Sequence, residues 1–231
     1  MVMRQLVAVG ALAVAGVAAV CPTPASADPA APATLVAPGK VNSVLVPKDD
    51  LSDIVGAAIE KEGGGKRPGK TADLGADSAC ALLVTPGFET FGKSYSAYRF
   101  QIDLDAETME DADYIIDQQV AVYPDEETAS KAFDGAFTRT MARQCDGRRV
   151  HPAAAPDDVE LELTVRVTDG HAKWSTETVY RGDPGGWLCS SEAGVQSNVL
   201  YTAAVCQYGN SGPAVAAIAQ QMDSQASGVR A

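Results

Sequence analysis

The chain has 231 residues, with 18 Lys and Arg against 30 Asp and Glu, a formal charge of −12 and 46% hydrophobic residues. That apolar content supports a folded core and excludes a wholly disordered chain, and the length suits one large domain or a compact domain with a tail. The acidity argues against nucleic acid and anionic lipid surfaces as partners, because both would be repelled.

In chain order, Arg4 precedes an apolar run from Leu6 to Val20, and Ala25-Ser26-Ala27 follows as a small-x-small cleavage site. This pattern predicts a secretory signal peptide over residues 1–27, cleaved before Asp28, and hence a secreted, extracellular or cell-envelope protein. The run is too short and too soon followed by prolines for an integral membrane span. Lipidation at Cys21 is the less favoured alternative, because Val20 fills a slot where a lipobox takes Gly, Ala or Ser. One acyl chain would in any case anchor only marginally. Residues 28–44 are Ala/Pro-rich and predict an extended tether, followed by a domain over 45–226 and a tail over 227–231.

Leu51, Ile54, Val55, Ala58 and Ile59 recur at helical spacing, with Asp49 or Asp50 as cap and Gly63 to Gly65 as stop. GGGKRPGK reads as a flexible loop. From Tyr98 the chain alternates, with Tyr98, Phe100, Ile102 and Leu104 on one face and Arg99, Gln101, Asp103 and Asp105 on the other, which predicts a half-buried strand. A polar turn leads to a second strand over 114–123. Pro124-Asp125 then opens one helix carrying Ala129, Phe133, Phe137 and Met141 and ending at Cys145 and Gly147.

Leu161, Leu163, Val165 and Val167 alternate with polar residues, and Asp169-Gly170 is a hairpin signal leading into Trp174 to Tyr180. Asp183-Pro184-Gly185-Gly186 predicts another turn, before strands over 187–192 and 198–206. A last helix is expected with Pro213 at its first position and Val215, Ile218 and Met222 as its apolar stripe. Hairpin connections force antiparallel pairing, so the fold class is α+β: an antiparallel meandering β-sheet with helices packed on one face.

Setting Cys21 aside with the leader leaves Cys80, Cys145, Cys189 and Cys206 in an oxidising compartment, which predicts two disulfides. Four cysteines allow three connectivities. Cys189 and Cys206 come nearly opposite in a hairpin whose turn lies within Gly194 to Asn198, so they pair, and Cys80 pairs with Cys145.

Chemistry-bearing patterns are sparse. Gly64 to Thr71, GGKRPGKT, matches the letters of a phosphate-binding P-loop. That mechanism needs a buried strand before the loop and a helix after it. An amphipathic helix is predicted before this segment and a polar stretch after it, so a surface loop is the better reading. His151 and His171 are expected in exposed positions. The acidic stretch 103–113 lacks the ligand spacing and pivotal glycine of an EF-hand, so no metal and no cofactor is expected. No nucleophile elbow and no free thiol is available for catalysis. The aromatic residues Tyr95, Tyr98, Tyr114, Tyr123 and Trp174 read first as packing. A ligand groove lined by Tyr98, Arg99, Gln118 and Gln119 is the functional alternative.

Three stretches carry a family resemblance: LVPKDDLSDIVG, then IDQQVAVYPDEETASKAFDGAFTRTMARQCDG, then WLCSSEAGVQSNVLYTAAVC before a terminal helix. Together they resemble the PknH-like extracellular sensor domain of actinobacterial receptor kinases, over roughly Leu45 to Ser224. The resemblance implies an α+β sandwich-like domain with the same two disulfides. It also implies a polar cleft between sheet and helices that takes an extracellular ligand, with no agreed set of ligand residues to carry over. The chain departs from that family at Thr140-Met141-Ala142, where a Trp is usual before the helix cysteine. No kinase domain or transmembrane helix lies within the 231 residues, so signalling in cis is not expected.

The expected function is therefore that of a secreted or envelope-associated, non-catalytic domain binding a small molecule or envelope component. An envelope-acting hydrolase using cleft carboxylates and a module with a protein partner are the alternatives.

Overall fold

The computed structural model describes residues 34–228. The leader, its cleavage site, Cys21 and the first part of the expected tether lie outside the described residues.

One eight-stranded sheet organises the domain. Its strands are β1 (Lys61–Gly65), β2 (Ala97–Leu104), β3 (Tyr114–Val122), β4 (Arg149–Val150), β5 (Val159–Thr168), β6 (His171–Tyr180), β7 (Asp183–Gln196) and β8 (Val199–Tyr208). The spatial order is β1-β2-β3-β8-β7-β6-β5-β4, and every neighbouring pair is antiparallel. Two meanders are thus joined edge to edge where β3 meets β8, in register from Tyr114–Gln207 to Val122–Val199.

Among the described residues six helices cover this sheet, and they cover both faces. On one side lie α2 (Ala81–Val84), α3 (Phe88–Phe91), α4 (Glu126–Ala136) and α5 (Arg139–Cys145). Their core contains Phe91, Tyr98, Tyr123, Phe133, Phe137, Leu163, Trp174 and Leu200. On the other side lie a 3₁₀ segment over Pro38–Val44, α1 (Lys48–Val55) and α6 (Gly212–Ala226). They bury Val44, Val46, Leu51, Ile116, Val120, Tyr201, Val205, Ile218 and Met222.

The expectation of helices on one face is therefore corrected. The alternation in β2 reads as half-buried only because the residues covering its polar side come from far away in sequence. Asp103 is fully buried there and Gln101 nearly so. The expected tether is corrected for the same reason. Val36 N donates to Asn198 Oδ1 at 2.8 Å, Asn198 Nδ2 donates to Val36 O at 3.0 Å, and Val44 is fully buried. Residues 36–44 belong to the domain.

Local departures have local causes. Helix α1 stops at Gly56, which takes the left-handed conformation that glycine adopts freely, so Ile59 is buried without being helical. The expected glycine-rich loop begins with a strand, β1, whose small residues let it lie against Phe100 of β2. The single helix expected over 126–145 is two. Thr138 accepts from Met141 N at 3.0 Å and so starts α5 as its cap, while Phe137 leaves α4 to pack between Phe133 and Trp174. The turn expected at residues 183–186 falls at Arg181-Gly182, both with positive φ, and residues 183–186 instead open β7.

Both disulfides form as paired above. Cys80–Cys145 ties the segment preceding α2 to the end of α5, with Cα atoms 5.7 Å apart. Cys189–Cys206 crosses the β7–β8 ladder between directly opposed residues, Cα atoms 3.9 Å apart. The turn between these strands is Ser197-Asn198, with Ser197 at φ +52°.

Candidate functional site

Strand alternation decides which side chains can meet. Along β3, Ile115, Asp117, Gln119 and Ala121 face the α2–α5 side, while Ile116, Gln118 and Val120 face the α6 side. The residues expected to form a groove are split by this rule. Gln118 is fully buried on the α6 side, where Oε1 accepts from Val46 N at 2.8 Å and Nε2 donates to Val46 O at 3.1 Å. Its amide is consumed in anchoring the segment before α1. Arg99 faces a separate depression with Pro38, Val41, Asn42 and Lys66, and its Nε is buried without a hydrogen-bond partner among the described residues. Tyr98 is buried on the α2–α5 side, edge-on to Phe91, and donates to Gln119 Oε1 at 2.7 Å. Of the four, only Gln119 lines the cleft over the centre of the sheet.

That cleft, of about 190 Å³, lies over the middle of the sheet on the α2–α5 side. Its floor is Ile115, Asp117 and Gln119 of β3, Thr202, Ala204 and Cys206 of β8, Cys189 and Ser191 of β7, and Trp174 and Thr176 of β6. Leu83 to Pro86, at the end of α2, form one wall, and Met109 of the β2–β3 turn stands at another. Trp174 Nε1 donates to Leu83 O at 2.7 Å and so fixes the wall to the floor. The Cys80–Cys145 disulfide pins the start of the same wall.

The polar groups in this cleft are few. Burial, with a smaller contribution from Asp103, pushes the Asp117 carboxyl up to about 6, against the lowering effect of the Gln119 amide. Thr202 is 2% exposed, and its Oγ1 has no hydrogen-bond partner among the described residues. Thr176 and Ser191 supply two more hydroxyls. A mostly apolar pocket with a few convergent polar groups is the ordinary form of a small-molecule site. Thr202 had a signal in the sequence, a polar residue in the middle of the apolar run Val199 to Val205, whereas Asp117 stands in the polar run Asp117-Gln118-Gln119.

The remaining patterns resolve plainly. The Gly64–Thr71 segment does follow a strand, contrary to expectation, but β1 is an exposed edge and no helix starts at Thr71. Its backbone is tied instead to α3, Gly69 O accepting from Phe88 N at 3.0 Å. His151 and His171 are both exposed. Among the described residues no group of three or more His, Cys, Asp or Glu side chains is placed to hold a metal ion. No helix among them is long and apolar enough to cross a membrane.

The family model for the PknH-like extracellular domain matches residues 36–224. The chain belongs to this family. Among solved structures, the extracellular domain of PknH from Mycobacterium tuberculosis superposes with a TM-score of 0.68 at 16% identity, covering 84% of this chain and 98% of that one. At that identity the likeness is one of fold. A comparison with curated proteins returns no match. The match begins at Val36, where the structure ties the chain into the sheet through Asn198, so this PknH-like domain includes residues 36–44 of the expected tether.

Proposed function

We propose that this PknH-like domain is a secreted or envelope-associated, sensor-like module that binds a small extracellular ligand in the cleft over β3, β8, β7 and β6, without catalysing a reaction on it. The observation that carries the reading is the Thr202 hydroxyl. A buried hydroxyl without a partner costs on the order of 1–3 kcal/mol, and this one belongs to a residue that lines the cleft, where a ligand reaching it would remove that cost. The fold likeness to the extracellular domain of a PknH protein supports the sensor-like part of the reading.

Among the described residues Asp117 is the one acidic side chain lining the cleft, which speaks against a two-carboxylate hydrolase. The test is thermal unfolding of the purified protein in the presence of fractionated envelope extract. A ligand that binds only the folded state raises Tm with a saturable dependence on concentration. Wild-type protein is expected to be stabilised by one fraction and a Thr202→Val variant to respond less. Absence of any shift across all fractions overturns the reading.

A second reading has its own observation. Trp187 and Tyr208 are cross-strand partners in edge-to-face contact at 5.0 Å, and Tyr208 and Tyr180 are each more than half exposed. Exposed aromatic side chains of this kind suit a protein partner.

A further inference from the structure

The Asp117 carboxyl in the proposed cleft has no basic partner among the described residues, and the Gln119 amide is the one group that favours its charge. None of the ion pairs among the described residues includes Asp117, and no Lys, Arg or His lines the cleft. The elements around Asp117 offer little else that titrates. Strand β8 opposes it with Ala204, and β6 and β7 contribute Trp174, Thr176, Cys189 and Ser191. The α2 wall is Leu83, Val84, Thr85 and Pro86. Strand β2 places Ile102 beside it, Tyr98 on the same face and Asp103 on the opposite face. The β2–β3 turn presents Met109, while its Glu107, Glu110 and Asp111 are exposed and outside the lining. The charged group that acts on Asp117 is Asp103, and it favours a cation at the site; Lys61 of β1 lies on the cleft's side of the sheet beyond Ile102 and pairs with Glu107.

Thr202 completes the recognition geometry. It pairs across the ladder with Gln119, two residues along β8 from Ala204, the partner of Asp117, so carboxyl and orphan hydroxyl are diagonal neighbours on one face. Apart from the Gln119 amide and the hydroxyls of Thr85, Thr176 and Ser191, the rest of the cleft is aliphatic, aromatic and sulfur surface.

We infer that the cleft selects a small protonated amine carried on an apolar body, the ammonium group meeting Asp117 and the body filling the space between Trp174 and the α2 wall. This rests on the ligand-binding reading above and names its substrate class. An unpaired carboxylate in an apolar enclosure is costly unless a cation accompanies it. A neutral ligand leaves that cost in place, and an ammonium group removes it. Because Asp117 holds its proton up to about pH 6, amine binding weakens as the solution is acidified through that value, whereas a neutral isostere is insensitive to it.

The test uses benzylamine and benzyl alcohol, matched in shape, titrated into the full chain by NMR at about pH 7.5 and about pH 5. At the higher pH the amine is expected to bind at least about tenfold more tightly, and at the lower pH most of that advantage is lost, since affinity follows the ionised fraction of Asp117. Asp117→Asn removes the preference while leaving the alcohol bound, and Asp103→Asn keeps it. Equal affinities at the higher pH, or a preference that survives Asp117→Asn, overturn the amine assignment while leaving the ligand-binding reading intact. Failure of both compounds to perturb the Trp174 and Thr202 resonances also overturns the amine assignment. The stabilisation test with extract fractions then decides separately whether the cleft takes another ligand.

Discussion

Asp103 and Asp117 lie on adjacent strands one register step apart and face opposite sides of the sheet, Asp103 opposite Ile116 and Asp117 opposite Ile102. Burial raises both carboxyls to about 6. For Asp103 the Gln101 amide, bonded to both carboxylate oxygens at 3.1 Å, offsets part of that rise. An unfolded carboxyl titrates near about 3.9, so between roughly pH 4 and 6 the folded chain binds more protons than the unfolded one. Stability from these two groups is therefore greatest below about pH 4 and falls as pH rises through about 6. Thermal unfolding should show a Tm higher by several degrees at about pH 5 than at about pH 7.5. Asp103→Asn should raise stability at the higher pH by about 1 kcal/mol and flatten the pH profile. A profile unchanged by that substitution would contradict the assignment.

The wall of the cleft hangs on one indole hydrogen bond. Trp174→Phe keeps most of the ring packing against Phe137 but removes the donor to Leu83 O, leaving that buried carbonyl unpaired. The expected cost is about 1–3 kcal/mol in chemical denaturation. Hydrogen exchange at Leu83 to Thr85 should accelerate more than exchange in α6, which lies on the far face of the sheet.

The two disulfides should differ in what they hold. Cys80–Cys145 closes a separation of 65 residues and Cys189–Cys206 one of 17. Chain entropy assigns about 4 kcal/mol to the first and about 3 kcal/mol to the second. Replacing the first pair with Ser should lower Tm more and loosen the α2 wall, as read by denaturation and by exchange in residues 81–86. Replacing the second should lower Tm less, because the β7–β8 ladder holds its register on both sides of the bridge.

Much of this fold was legible because it is local. The Asp169-Gly170 turn, the apolar face of β5, the stripe Val215, Ile218 and Met222, and the opposed cysteines all follow from short-range periodicity and hairpin geometry. What escaped is long-range. Asn198 and Gln118 bind Val36 and Val46 from positions 162 and 72 residues distant, and no pattern within either segment announces it. The second helical layer was missed with them. The site was missed for a related reason. Tyr98, Arg99, Gln118 and Gln119 are consecutive pairs in sequence, and a strand sends consecutive side chains to opposite faces. The cleft instead draws Asp117 and Thr202 from two strands that are neighbours only in space, together with a wall between residues 83 and 86 that carries no periodic signal.

The central claim is the place of binding, and residue-resolved NMR of the protein titrated with the stabilising extract fraction tests it most directly. Perturbations should centre on the Trp174 indole, the Thr202 methyl, Ser191 and Leu83 to Thr85, and they should be reduced in Thr202→Val. Perturbations centred instead on Arg99 and Lys66, or on Tyr180, Trp187 and Tyr208, would contradict the account.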